Sequence, residues 1–223
     1  MKKIIIILLV QITCTVGYSQ TMDDVYAAEE IVWFGVDYSK TKLIGGFDNP
    51  DRIIGEYFSK WNYRIIAHIS ERYNGKLYDK PFVVDVAAAI VRSEALHGEN
   101  ITTFGSPPPP FNGEQIQEII NLCNSPDNQQ GIGLILISNY FGGRNKEAQY
   151  SGVYFDIETK KIIQVKNYLF NGSGFGMLPF WDKPLFHTLE RIEYEFKTDF
   201  ASFRFEQRKI ARQQKKANKA SQK

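Results

Sequence analysis

Three carboxylates, Asp37, Asp85 and Asp156, fall within or at the end of segments that read as strands. Two such groups on opposite sides of a sugar, one of them held protonated, would make a glycosidase. On that reading the chain is a hydrolase acting on envelope glycans, with Asp37, a carboxylate in an apolar run, as its first candidate. The competing reading is structural, and it is strongest for Asp156, because Asp ahead of Ile157-Glu158-Thr159-Lys160 is ordinary turn chemistry. A second cluster points to binding. The loop Gly172, Ser173, Gly174, Phe175, Gly176 precedes a helical pattern and would offer backbone amides to an anion. Phe175, Phe180 and Trp181 beside Asp182 and Arg144 could wall a groove, although core packing also suits such aromatics. The expected ligand contacts are therefore Gly172, Ser173, Gly174, Phe175, Gly176, Trp181 and Arg144.

Other chemistries fail on spacing. Ser173 lacks the Gly-x-Ser-x-Gly frame of a nucleophile elbow, and the glycine loop lacks the Gly-Lys-Ser/Thr of a Walker loop. It also comes too late, after a hairpin, for a Rossmann fingerprint. His68, His97 and His187 lie far apart, with no His-x-x-x-His or Cys-x-x-Cys, so neither a metal nor a cofactor is expected. Cys123 follows Ile116, Ile119, Ile120 and Leu122 at helical spacing and reads as a small buried hydrophobe rather than a reactive thiol.

The elements that must position these residues follow from periodicity. Residues 31–44 are β-branched and aromatic and predict one long strand ending at Gly45-Gly46. Asn49-Pro50-Asp51 opens a helix whose apolar positions Ile53, Ile54, Tyr57, Phe58, Trp61, Ile65, Ile66 and Ile69 recur every three or four residues, with Gly75 closing it. Residues 81–96 combine an extended-looking Phe82-Val83-Val84 with three alanines, and the β-branched bias predicts a strand. Four prolines at 107–110 force an extended connector before a short helix at 113–123. The nearly all-apolar run 131–141 predicts a central strand covered on both faces. Alternating stretches 148–156 and 161–169 predict a hairpin, and a helix starts near Trp181. The order β-α-β-α-β-β-β-α gives an α/β or α+β fold, a single mixed β-sheet with packed helices, in one domain over 20–203.

The two ends differ in character. Lys2 and Lys3 followed by seven branched apolar residues, with Gly17 and Ser19 at the −3 and −1 positions, predict a signal peptide over 1–19 cleaved before Gln20. Lipid anchoring through Cys14 is the lesser alternative, since Gln11, Ile12 and Thr13 make a poor lipobox. No later run reaches transmembrane length. The chain carries 27 Lys and Arg against 25 Asp and Glu. Segment 204–223 holds eight basic residues against the single Glu206, a +7 tail on a body, 20–203, of −7. Such a tail suits an anionic surface such as envelope phosphates, or else merely complements a helix C-terminus. With 16 Phe, 12 Tyr and 3 Trp, the chain has ample area for a core, which excludes disorder as its main state.

The runs Val32-Trp33-Phe34-Gly35-Val36-Asp37-Tyr38-Ser39, Gly131-Ile132-Gly133-Leu134-Ile135-Leu136-Ile137 and Val153 to Ile162 resemble an uncharacterised family of exported proteins from Bacteroidetes, over nearly the whole chain after residue 19. The apolar strand, hairpin and helix are also similar in topology to the amino-terminal domains of TolB-type periplasmic proteins and related envelope lipoproteins. Neither resemblance carries a site. The expectation is an exported periplasmic or cell-envelope protein, a non-enzymatic binding or structural module. Its expected partner is an envelope protein or an anionic envelope component, with peripheral membrane association at most and no nucleic acid.

Overall fold

The structure, a computed structural model, describes residues 20–73, 76–77 and 80–221. The signal-peptide expectation, with Cys14, lies outside the described residues. The fold is α/β, a single mixed sheet with packed helices, as the sequence pattern implies.

The spine is β6 (Ile132–Gly142), buried at every position. Along one side it pairs in parallel with two strands laid end to end: β1 (Ile31–Asp37) against Gly133 to Ile137, and β2 (Lys42–Ile44) against Tyr140 to Gly142. The single strand expected over 31–44 is thus two strands on one line, interrupted at 38–41. Beyond β1 lies β4 (Lys80–Val84), parallel to it, and beyond β2 lies the two-residue β5 (Thr102–Thr103), parallel to β2. The short β3 (Lys76–Leu77) pairs antiparallel with β4. On the other side of β6 come β7 (Glu147–Asp156) and β8 (Ile162–Asn171), an antiparallel meander that matches the expected hairpin.

Helix starts follow local chemistry. Thr21 and Asp24 form a capping box on α1 (Met22–Ala27), and Asn112 with Gln115 does the same for α6 (Gly113–Asn121). Asn49 caps a continuous rod made of α2 (Pro50–Arg52), a π-helical turn (Ile53–Phe58) and α3 (Ser59–Tyr73), with Pro50 at its first position. The strand expected over 81–96 is corrected: it ends at Val84, and α4 (Ala87–Glu94) follows, with the four-residue α5 (Gly98–Ile101) after it. Three consecutive alanines carry helix propensity that the neighbouring Ile90 and Val91 do not overturn. The last helix, α7 (Met177–Ser221), starts ahead of Trp181 and runs 45 residues through the basic segment.

These helices cover the two faces of the sheet unequally. One face packs under the α2–α3 rod and α7, with Trp61, Ile65, Leu185, Leu189, Ile192 and Phe196 against Trp33, Leu134, Leu136 and Tyr150. The other face is covered by α6, where Ile116, Ile119, Ile120 and Cys123 meet Val32, Phe34, Ile135, Ile137 and Phe155. Core aromatics stack closely on the thicker side, Tyr38 on Phe58 at 4.1 Å and Trp61 near Phe141 at 5.3 Å.

Candidate functional site

The strand register separates the three carboxylates. Asp37 pairs with Ile137, midway along β6, whereas Asp156 pairs with Ile132 at its start, so they flank the spine on opposite sides at positions five residues apart along it. Asp85 follows β4 on the far side of β1, where its amide bonds the Trp33 carbonyl. Asp37 is fully buried and saturated. Its Oδ1 accepts from the Ser39 amide (2.8 Å) and hydroxyl (2.5 Å), and its Oδ2 from Arg92 Nε (2.7 Å) and Nη2 (2.6 Å). A carboxylate has about four acceptor positions, and all are taken by the chain itself. Arg92 also donates to the Leu122 carbonyl at 2.9 Å, so the pair ties β1, α4 and the end of α6 together. Asp156 accepts from the Thr159 amide and hydroxyl, both at 2.6 Å, and closes the β7–β8 turn.

The expected ligand residues divide. Gly172 donates its amide to the Lys146 carbonyl (2.6 Å), which ties the glycine loop to the β6–β7 turn where Arg144 sits. The ring of Phe180 lies so close over Gly172 that a Cβ there would come within 2.2 Å of it. Ser173 spends its amide on the Phe180 carbonyl, and Gly174 and Gly176 take positive φ. Phe175 is 97% exposed. Trp181, by contrast, is closed into the core, edge-on to Phe141 and Phe180. Asp182 is buried beside it, its Oδ2 bound by Arg64 Nε at 2.6 Å; burial raises its pKa against the pull of that guanidinium.

The remaining titratable candidates are engaged elsewhere. The His68 ring stacks on Phe186 at 4.3 Å, and burial lowers its pKa. His187 meets Phe170 edge-on, and His97 precedes α5. The buried Cys123 thiol is pushed up to about 11 by desolvation, partly opposed by Arg92. Among the described residues no group of three or more His, Cys, Asp or Glu could hold a metal ion, and no helix is long and apolar enough to cross a membrane.

A pocket of about 460 Å³ opens just past the carboxyl ends of the parallel strands β2, β5 and β6. Gly45, Gly105 and Gly142 line it along with Ile44, Ser106, Pro107, Asn145, Phe104 and Arg144. In open α/β sheets ligands enter at this end, because the connecting loops diverge there and leave a crevice. Gly45 and Gly105 both adopt positive φ, and Gly143 passes so close to the Gly45 carbonyl that a side chain would collide with it at 2.1 Å. The floor is thus nearly bare backbone. Phe104 is 86% exposed at the rim, and Arg144 is exposed with neither an ion pair nor a hydrogen bond among the described residues. Of the sequence candidates, only Arg144 lines this pocket. Phe104, Gly105 and Ser106 were missed; the signal was a Phe-Gly-Ser step before four prolines, a loop that could not bury its aromatic.

Comparison with known proteins adds little to this geometry. No protein-family model matches the chain, and no curated protein does. Among solved structures it is similar to the LpoB C-terminal domain from Salmonella enterica, at 9% identity, 65% of this chain, 84% of that one and a TM-score of 0.32. It is likewise similar to the lipoprotein GNA1162 from Neisseria meningitidis, at 13% identity, 74% of this chain, 96% of that one and a TM-score of 0.35. Likeness at that level carries no argument about role.

Proposed function

We propose that this chain is a non-enzymatic binding module of the cell envelope, exported by its first 19 residues. Its contact with a partner lies at the pocket beyond β2, β5 and β6. The partner is an envelope protein or polymer that presents an acidic group next to an apolar one, the acid meeting Arg144 and the apolar group meeting Phe104. The observation that carries this reading is the unpaired guanidinium beside an exposed ring over a backbone floor. An exposed ring and an uncommitted cation are what a recognition site offers, since neither stabilises the free fold. The saturation of Asp37 supports binding over catalysis, because its oxygens have no acceptor position left for a substrate, and Asp156 lies apart from it with its Oδ1 spent on its own turn.

The test is an amide-resolved NMR titration with a short peptide ending in Phe-Asp and a free carboxylate. Shifts at Gly45, Gly105 and Asn145 that vanish in Arg144→Gln and Phe104→Ala support the proposal. Shifts confined to other surfaces, or turnover of cell-wall glycans by the pure protein that Asp37→Asn abolishes, overturn it.

A further inference from the structure

The part of α7 that leaves the body is organised around its axis. Every side chain described from 204 onward is exposed, over a length of about 27 Å at 1.5 Å per residue. At about 100° per residue, Arg204, Arg208, Lys209, Arg212, Lys215 and Lys216 fall within an arc of roughly 140°. Phe205 lies inside that arc, 67% exposed, in a shallow groove between Arg208, Lys209 and Arg212. The opposite side of the same segment carries Gln207, Ile210, Gln214 and Ala217. It continues the row by which α7 docks on the sheet, through Leu185, Leu189, Ile192 and Phe196. The cations therefore face away from the body.

Complementing the helix macrodipole does not account for this stripe. That effect is confined to the last turn, whereas the arc begins at Arg204, more than four turns from the helix end. Internal pairing does not account for it either. Lys209 has Glu206 at 3.6 Å and Arg204 lies over the Phe200 ring, while Arg208, Arg212, Lys215 and Lys216 have no ion pair among the described residues. Some acids of the body are occupied, Glu56 by Arg52 and Lys60, Glu195 by Lys166 and Arg191, Asp182 by Arg64, while others such as Glu29, Glu30, Asp48 and Asp127 are exposed with no ion pair among the described residues. A second copy offers the stripe separate carboxylates on different elements, whereas a row of cations about 27 Å long matches a continuous anionic surface.

We infer that this arm lies flat on the anionic phospholipid surface of a bilayer, its cations on headgroup phosphates and Phe205 at the interface between them. A one-sided cationic helix with an aromatic among its charges matches a flat, negatively charged surface that accepts a ring at its boundary. The contact is independent of the pocket, so Arg144→Gln leaves it unchanged and the two readings fail separately.

Co-sedimentation of the full chain with phosphatidylglycerol/phosphatidylcholine vesicles, against phosphatidylcholine alone, tests the inference. The apolar amino terminus is common to all variants, so differences between variants report on the arm. Expected are phosphatidylglycerol-dependent binding that falls steeply with salt, and a loss of roughly 100-fold in Arg208→Gln/Arg212→Gln/Lys216→Gln, at about five-fold per cation. Gln207→Ala/Gln214→Ala on the opposite side should bind as the parent does. Equal binding by the triple variant, or none by the parent, overturns the inference. So does tighter binding to a single-stranded oligonucleotide than to vesicles, or self-association that the triple variant loses.

Discussion

Replacing Asp37 by Ala removes one half of a buried ion pair and leaves Arg92, whose side chain is only 16% exposed, without its counter-charge. Breaking such a pair on one side costs about 3–5 kcal/mol, because the remaining charge stays desolvated. Arg92 keeps the Leu122 carbonyl and some water, which places the expected cost near the lower end, about 3 kcal/mol. For a domain of this size that is a fall in Tm of roughly 6–12 °C. Urea unfolding at neutral pH, followed by fluorescence of the buried Trp33, Trp61 and Trp181, gives the free energy directly. Arg92→Ala should cost a similar amount, and the double variant less than the sum, with a coupling of about 2 kcal/mol. The reasoning is refuted if the double variant costs the sum of the singles, or if Asp37→Asn melts with the parent while abolishing a measurable hydrolysis.

A second expectation concerns the bulge in β1. Gly35 has φ +85, and a Cβ there would come 2.6 Å from the Asn62 Oδ1 that accepts from the Val36 amide. Gly35→Ala should cost about 2–3 kcal/mol, and Asn62→Ala a similar amount because the Val36 amide and carbonyl lose a buried partner. The double variant, free of the collision, should cost less than the sum in chemical denaturation. A third concerns alkaline pH. Burial and then Glu147 push Tyr140 up to about 12; burial and then Asp199 do the same to Tyr26, while burial also raises Tyr38, Tyr150 and Tyr168 well above the ordinary phenol value. A phenol whose folded pKa is raised contributes stability that is complete below about 10 and lost as pH climbs through the folded value. Of the 12 tyrosines, these five should ionise late, and the absorbance change near 295 nm should show a delayed step together with loss of stability above about pH 11. A single transition at the ordinary tyrosine value with the fold intact would contradict this.

Elements whose apolar period is long and unbroken were legible in the chain. The run 131–141, the hairpin and the helix after Asn49 all stand close to where the pattern puts them. What escaped was set by tertiary contacts. In residues 31–44 the polar Ser39-Lys40-Thr41 marks the interruption, but the β-branched and aromatic residues on either side outweigh it, and the pairing of β2 with the far half of β6 continues the same line. The helix 87–94 escaped because Ile90 and Val91 argue for a strand locally, while Ser93 and Arg92 are needed in the fold to serve the β1–β2 break. Arg144 was legible as a cation in a glycine-rich turn. Phe104 showed in the sequence only as an aromatic beside Gly105 and the prolines; its meeting with Arg144 did not, because only the placement of β5 beside β2 brings its loop to that turn.

Five of the buried polar residues, Asp37, Thr41, Asn62, Ser93 and Ser138, gather at one place, and the geometry of β1 explains why. When a strand buried on both faces bulges at Gly35 and stops at Asp37, its backbone groups lose their sheet partners in a region water does not reach. Each is met by a side chain or a turn: Val36 by Asn62, Tyr38 by Ser93 at 3.3 Å, Ser39 by Asp37, while the Thr41 amide reaches the Tyr38 carbonyl at 2.9 Å. Thr41 and Ser138 then join hydroxyls at 3.0 Å across to the spine. Asp37 is charged because its second oxygen must hold Arg92, which in turn anchors α4 and α6. A carboxylate inside an apolar strand is therefore accounted for by the interrupted line of β1 and β2. That same interruption lets β2 run on to the upper half of β6, where the strand ends open into the Arg144 pocket.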